Sequence, residues 1–107
     1  MKEINGKKEK TVEVLITTVD CKDFNGLLKK MNIQTNAMIG NQTSYNKIDV
    51  IDYNSSSIPV YSFNERGVGL NRNNLLMRSK ADYCLFGDDD LIYVDGYENI
   101  VRKYFSK

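Results

Sequence analysis

A chain of 107 residues can close one hydrophobic core but lies near the low end of what a complete α/β enzyme needs, so a single domain is expected. With 41% hydrophobic and 27% charged residues and a formal net charge of +1, the composition is that of an ordinary globular protein; it excludes a strongly basic nucleic-acid surface, and no apolar run approaches the ~18 residues of a membrane span. Histidine is absent and Cys21 and Cys84 lie in no metal-binding pattern, which argues against zinc sites and Ser-His or Cys-His catalysis, while a start too polar for a secretory segment points to the cytoplasm.

Residues 1–10 are Lys, Glu, Asn and Gly without periodicity and are expected to form a flexible leader, with the folded unit running over 11–107. Val12 to Val19 is a β-branched run suited to a strand buried on both faces of a parallel sheet. Asp20 and Asp23 are placed to cap a helix whose apolar face is Phe24, Leu27, Leu28 and Met31. Ala37, Met38 and Ile39 predict a second strand, delivering Gly40, Asn41 and Gln42 at its carboxyl end.

Ile48, Val50 and Tyr53 suggest a short strand followed by a loop over 54–57, and Ile58 to Phe63 another strand with Pro59 at its start. Helical spacing covers Leu70 to Ser79, preceded by the loosening Gly67 and Gly69. Ala81 to Phe86 is a last buried strand that hands over to Gly87 and to Asp88, Asp89 and Asp90. Asp95 and Glu98 have capping-box spacing ahead of a helix with Ile100, Val101, Tyr104 and Phe105 on one face. This alternation predicts an α/β fold with a mostly parallel sheet flanked by helices on both faces.

Ligands of such sheets bind outside the carboxyl ends of the strands. Three polar groups fall there: Thr17, Thr18, Val19 and Asp20; Gly40 to Thr43; and the aspartates. Adjacent carboxylates at a buried strand's mouth repel one another, and a divalent cation offsets that cost. On an extended backbone Asp88 and Asp90 would point the same way and converge on the ion, with Asp89 facing elsewhere. All-oxygen ligation favours Mg²⁺ or Mn²⁺, ions that commonly bring a phosphate. A solvated acidic turn is the plainer alternative, weakened by the apolar strand immediately before the triplet. In ERGVGLNRNN, Glu65 to Asn74, Arg66 and Arg72 are placed to oppose carboxylates or phosphate from a Gly-rich helix start, although surface arginines beside a cap would look the same.

The string NERGVGLNRNNLLMRSKADYCLFGDDD, Asn64 to Asp90, resembles the inverting glycosyltransferase family 2 pattern, in which an Arg-Asn helix start precedes a strand ending in Asp-x-Asp. Arg72 and Asn73 stand at the Arg-Asn, Asp88 and Asp90 at the Asp-x-Asp, and Thr17 to Asp20 at the first-strand turn; the resemblance runs from about Val12 onward and is poor over 44–57. It implies the Rossmann-like amino-terminal half of a GT-A fold that binds a nucleoside-diphosphate sugar with Mn²⁺ or Mg²⁺. Asp88 and Asp90 would serve the metal, with Asp88 also facing ribose or sugar. Thr17, Thr18, Val19, Asp20, Asn41, Gln42, Arg66, Arg72, Asp88 and Asp89 would contact the donor nucleotide.

Where the family has Asp-Asp-Gly-Ser after the second strand, this chain has Gly40, Asn41, Gln42 and Thr43, similar to bacterial capsule and exopolysaccharide transferases. Its amides would hydrogen-bond a base. The implied activity is sugar transfer to a saccharide or lipid-linked acceptor in surface polysaccharide synthesis, in the cytoplasm or at the inner face of the membrane through a longer protein. The family's general base and acceptor region lie beyond the matched part, so the chain is expected to be a donor-binding piece without its own base. The alternatives are a receiver-like Mg²⁺-binding signalling domain, which lacks its phosphoacceptor Asp after Phe63, and a non-catalytic interaction domain.

Overall fold

The computed structural model describes the backbone of residues 3, 4, 7–64 and 68–106 and the side chains of 9–64 and 71–106. In chain order the elements are β1 (Glu3–Ile4), β2 (Lys7–Lys8), β3 (Val12–Val19), α1 (Phe24–Lys30), β4 (Asn36–Gln42), β5 (Lys47–Tyr53), β6 (Ser56–Phe63), α2 (Val68–Arg78), β7 (Tyr83–Asp88) and α3 (Tyr97–Phe105). Five strands form one mixed sheet in the order β5-β6-β4-β3-β7, parallel throughout except for β5, which runs antiparallel to β6. The fold is thus α/β with a mostly parallel sheet. Within residues 1–10, β1 and β2 pair antiparallel, Glu3 with Lys8 and Ile4 with Lys7, while Met1, Lys2, Asn5 and Gly6 lie outside the described residues. Glu9 and Lys10 are tied to α3 by Arg102, through an ion pair to the Glu9 carboxylate and a hydrogen bond to the Lys10 carbonyl.

Alternation along the strands sends side chains to two cores. Val12, Val14 and Ile16 of β3, Ala37 and Ile39 of β4, and Ile58 and Val60 of β6 pack with Leu27, Leu28 and Met31 around α1 and with Tyr97 of α3. Leu15, Met38 and Leu75 of α2 meet on the other face, flanked by Tyr61 and Cys84. Helices therefore cover both faces, as expected for strands apolar on both sides. Tyr97 binds the α1–β4 connection: its hydroxyl oxygen accepts from the backbone N–H groups of Gln34 and Thr35 and lies 2.7 Å from the Thr35 hydroxyl. Among the described residues no helix is long and apolar enough to cross a membrane.

Three local expectations are corrected. The segment 44–57 holds a seven-residue strand whose outward residues are Ile48 and Val50, and the loop shrinks to Asn54 and Ser55, both at positive φ (48° and 63°) as a two-residue hairpin turn demands. Pro59 sits inside β6 rather than at its start, just before the β4 pairing that begins at Val60, so its missing N–H interrupts no bond of that ladder. The Asp95 capping box does not form. Asp95 accepts from the Asn32 side-chain amide, Gly96 is the cap at φ 76°, and Glu98 pairs instead with Arg102 one turn on.

Candidate functional site

The chain order makes the site before any side chain is considered. From β3 the chain moves outward through β4 to β6 and then returns past β3 to β7, so the direction of winding reverses between β3 and β7. Loops diverge at such a point and leave a crevice at the carboxyl ends of the two strands. The parallel register sets Thr17 between Gly40 on one side and Asp88 on the other.

Across that crevice the Thr17 hydroxyl donates to Asp88 Oδ1 at 2.9 Å, and the Thr18 hydroxyl donates to Asp89 Oδ2 at 2.7 Å. Bonds from a hydroxyl to an ionised carboxylate are among the stronger ones in proteins. Arg72 of α2 reaches Asp88 from the second core's side, its Nη2 lying 3.1 Å from Oδ1. Asp88 is accordingly held below the usual aspartate range, first by the Thr17 hydroxyl and then by the Arg72 guanidinium. The pair is about half exposed, so the bridge contributes little to stability and chiefly fixes the carboxylate's position. Thr17, Thr18, Val19, Gln42, Asn71, Asp88 and Asp89 line a cavity of about 170 Å³.

The backbone does not keep the alternation expected of the triplet. β7 extends through Gly87 and ends at Asp88, and Leu91 N–H closes a turn onto the Asp88 carbonyl at 3.0 Å. Asp89 and Asp90 occupy that turn, so Asp89 lines the cleft beside Asp88 while Asp90 is exposed and outside the lining. The reason is that β7 lies at the edge of the sheet, paired to β3 only as far as Thr17, and nothing extends the ladder further.

The first-strand turn is strained where it meets the site. Asp20 has φ 48°, an unusual conformation for a residue with a Cβ, held by its N–H bond to the Gln42 carbonyl at 2.8 Å. Asn41 takes a role other than base contact: it is fully buried, its Oδ1 accepts from Cys21 N–H, and its Nδ2 donates to Cys21 O. Both ends of the amide are spent on shaping the turn after β3. Gln42 and Val19 do face the cleft, and Asp20 joins Thr43, Ser44 and Tyr45 around an adjoining hollow of about 410 Å³. Arg66 lies outside the described residues.

Sequence reasoning passed over Asn71. It sits one helical turn before the core residue Leu75, so an amide at an inward-facing position of α2 was the signal available. Its Nδ2 donates to the Gly40 carbonyl at 2.9 Å, which only the absence of a Cβ at Gly40 permits: a Cβ there would lie 2.0 Å from Asn71 Oδ1.

Among the described residues no group of three or more His, Cys, Asp or Glu side chains is arranged to hold a metal ion by protein alone. Mg²⁺ commonly takes only one or two carboxylates and completes its shell with phosphate and water. Of the expected pair, Asp88 lines the cleft with Asp89 beside it, whereas Asp90 is exposed and outside the lining, so the two carboxylates available to such a partial shell are Asp88 and Asp89. No protein-family model, curated protein or solved structure matches the chain.

Proposed function

We propose that the chain is the donor-binding part of a metal-assisted glycosyltransferase that takes a nucleoside-diphosphate sugar. The observation that carries this reading is the pair of threonine-to-aspartate bonds, Thr17 to Asp88 and Thr18 to Asp89, spanning the crevice where the winding of the sheet reverses. Two ionised carboxylates held at a strand mouth create a field that binds cations, and an anionic diphosphate enters such a site only with a counter-charge. Asp88, with Asp89 beside it in the cleft, would hold Mn²⁺ or Mg²⁺ together with the donor's phosphate oxygens, and Asp90 would join only from the exposed turn. When bound, that ion supplies Lewis-acid relief of the charge gathering on the departing nucleoside diphosphate.

The chain's own residues have separate tasks in this reading. Arg72 and Thr17 keep Asp88 ionised and pointed into the cleft, so that the carboxylate is oriented before the donor arrives. The Thr18 hydroxyl orients the Asp89 carboxylate by its hydrogen bond. Val19, Gln42 and the hollow beside Asp20 and Tyr45 offer walls for the nucleoside. The general base of an inverting transfer, the saccharide or lipid-linked acceptor and a cytoplasmic setting at the inner face of a membrane belong to the longer enzyme this reading implies.

Calorimetric titration with UDP and GDP, with and without Mn²⁺, tests the proposal. Micromolar-to-millimolar binding that needs the ion and disappears in Asp88→Ala is expected; affinity indifferent to both the ion and the substitution removes the glycosyltransferase reading. A thermal shift with beryllofluoride and none with nucleotides would favour the receiver-like alternative instead.

A further inference from the structure

Among the described residues two buried side-chain atoms beside the cleft have no hydrogen-bond partner, Oδ1 of Asn71 and Nε of Arg72, and only the first belongs to a residue lining the cavity. Asn71 is 7% exposed, its Nδ2 is bonded to the Gly40 carbonyl, and its Oδ1 is buried without a partner among the described residues. The amide cannot be turned over, because the exchange would set its oxygen against the Gly40 carbonyl oxygen. What remains unpaired at this point is therefore an acceptor. A buried acceptor without a donor is costly, and a native structure that keeps one commonly does so where a ligand or water completes it.

The rest of the wall sharpens the requirement. The Thr17 and Thr18 hydroxyl protons are already directed at Asp88 and Asp89, so of the side chains lining the cleft beside Asn71 the carboxylates present acceptors and Gln42 is the one amide that can donate. A ligand group that completes Asn71 Oδ1 must bring an N–H or O–H. Gly40 enforces the arrangement from the other side, since the close approach of α2 to β4 seats the amide against the strand.

We infer that Asn71 is a recognition residue of the cleft, its Oδ1 accepting a hydrogen bond from the nucleoside of the donor, so that the site chooses among nucleotides by the donor group they present to it. This rests on the nucleotide-sugar reading above and adds the residue that gives it selectivity. Two parts of a nucleoside supply such a group. The imide N–H of uracil or the N1–H of guanine would satisfy the oxygen from the ring nitrogen, where cytosine and adenine present a lone pair and can donate only from the exocyclic amino group beside it. A ribose hydroxyl would satisfy it irrespective of the base.

Titration of the wild-type chain in Mn²⁺ with UDP, CDP, 2′-deoxy-UDP and 3′-deoxy-UDP separates these sources. If the base is read, CDP binds about tenfold or more weakly than UDP and the deoxy nucleotides bind as UDP does, the size expected when a buried polar group is left unpaired. If the sugar is read, the loss of about tenfold moves to one deoxy nucleotide and CDP matches UDP. In either case the preference disappears in Asn71→Ala, and in Gly40→Ala, where the new Cβ displaces the amide. The Asn71 side-chain amide resonance in a ¹⁵N spectrum of the wild type should also move with UDP and not with the nucleotide that binds poorly. Wild-type affinities equal within about twofold for all four nucleotides, or a preference that persists in both folded variants, overturn the inference and leave the nucleotide-sugar reading standing. Failure of UDP and GDP to bind the wild type at all sinks that reading and this inference with it.

Discussion

The close contact of Gly40 with Asn71 offers a quantitative check on how β4 and α2 are joined. In Gly40→Ala the added Cβ would sit 2.0 Å from Asn71 Oδ1, 2.9 Å from its Cγ and 3.2 Å from Leu75 Cδ1. The first two contacts cannot be tolerated, so the amide must leave and the Gly40 carbonyl loses its donor. Overpacking of a core costs about 1–3 kcal/mol, and a lost hydrogen bond about 0.5–1.5 kcal/mol. A total destabilisation of about 2–4 kcal/mol is expected, which lowers Tm by roughly 10–25 °C for a domain of this size. In an Asn71→Ala background only the flexible end of Leu75 remains in the way, so the same glycine substitution should cost less than about 1 kcal/mol. Urea denaturation of the four proteins of this double-mutant cycle, at constant m-value, gives the coupling directly. Additivity within about 0.5 kcal/mol would show that the Cβ and the amide do not compete for the same space, and the packing of α2 on β4 described above would be wrong.

Thr17→Val removes the first-named cause of Asp88's lowered pKa, so that pKa should rise towards the ordinary aspartate value, read by carboxyl ¹³C shifts across acid pH. The sign follows from linkage: a carboxyl depressed in the folded state stabilises above its unfolded pKa, and the contribution fades as pH falls through the folded value. The variant should therefore lose less stability than the wild type on acidification, and an unchanged Asp88 titration would refute the assigned cause. Ser55→Gly should stabilise the β5–β6 hairpin by about 0.5–1 kcal/mol in chemical denaturation, because Ser55 pays for a left-handed φ of 63° that glycine adopts without strain. Destabilisation there would mean that the serine side chain contributes more than its backbone costs.

Much of the architecture could be read from local pattern. The run Val14 to Thr18 lies buried on both faces of the sheet, with Val19 exposed at its end, and the helical spacing of Leu27, Leu28 and Met31 marks the side of α1 that meets the core. The hairpin was harder to see, because Ile48 and Val50 face outward from an edge strand while Ile51 and Tyr53 pack inward, which inverts the usual assumption about apolar residues. Of the candidate site, the acidic triplet and the first-strand threonines were visible as polar groups terminating apolar strands, a feature of composition in sequence order.

Local order could not say which of those groups would meet. Thr17 and Asp88 are 71 residues apart, and only the parallel register of β3 with β7 sets them side by side. The same register, ending at an edge, turns Asp89 into the cleft and leaves Asp90 exposed outside it. Asn41 and Asn71 make the contrast plain, since the two side chains have identical chemistry. Asn41 finds a donor and an acceptor on Cys21 and is consumed by the turn, while Asn71 finds only an acceptor on Gly40 and keeps a lone pair in reserve. The sequence by itself determined the buried strands, the amphipathic helices and the supply of polar groups at the strand ends, because periodicity and composition act over a few neighbouring residues. Which hydrogen bonds those groups complete was decided only by tertiary structure, because a side chain's partners are whatever the packed backbone brings within about 3 Å of it.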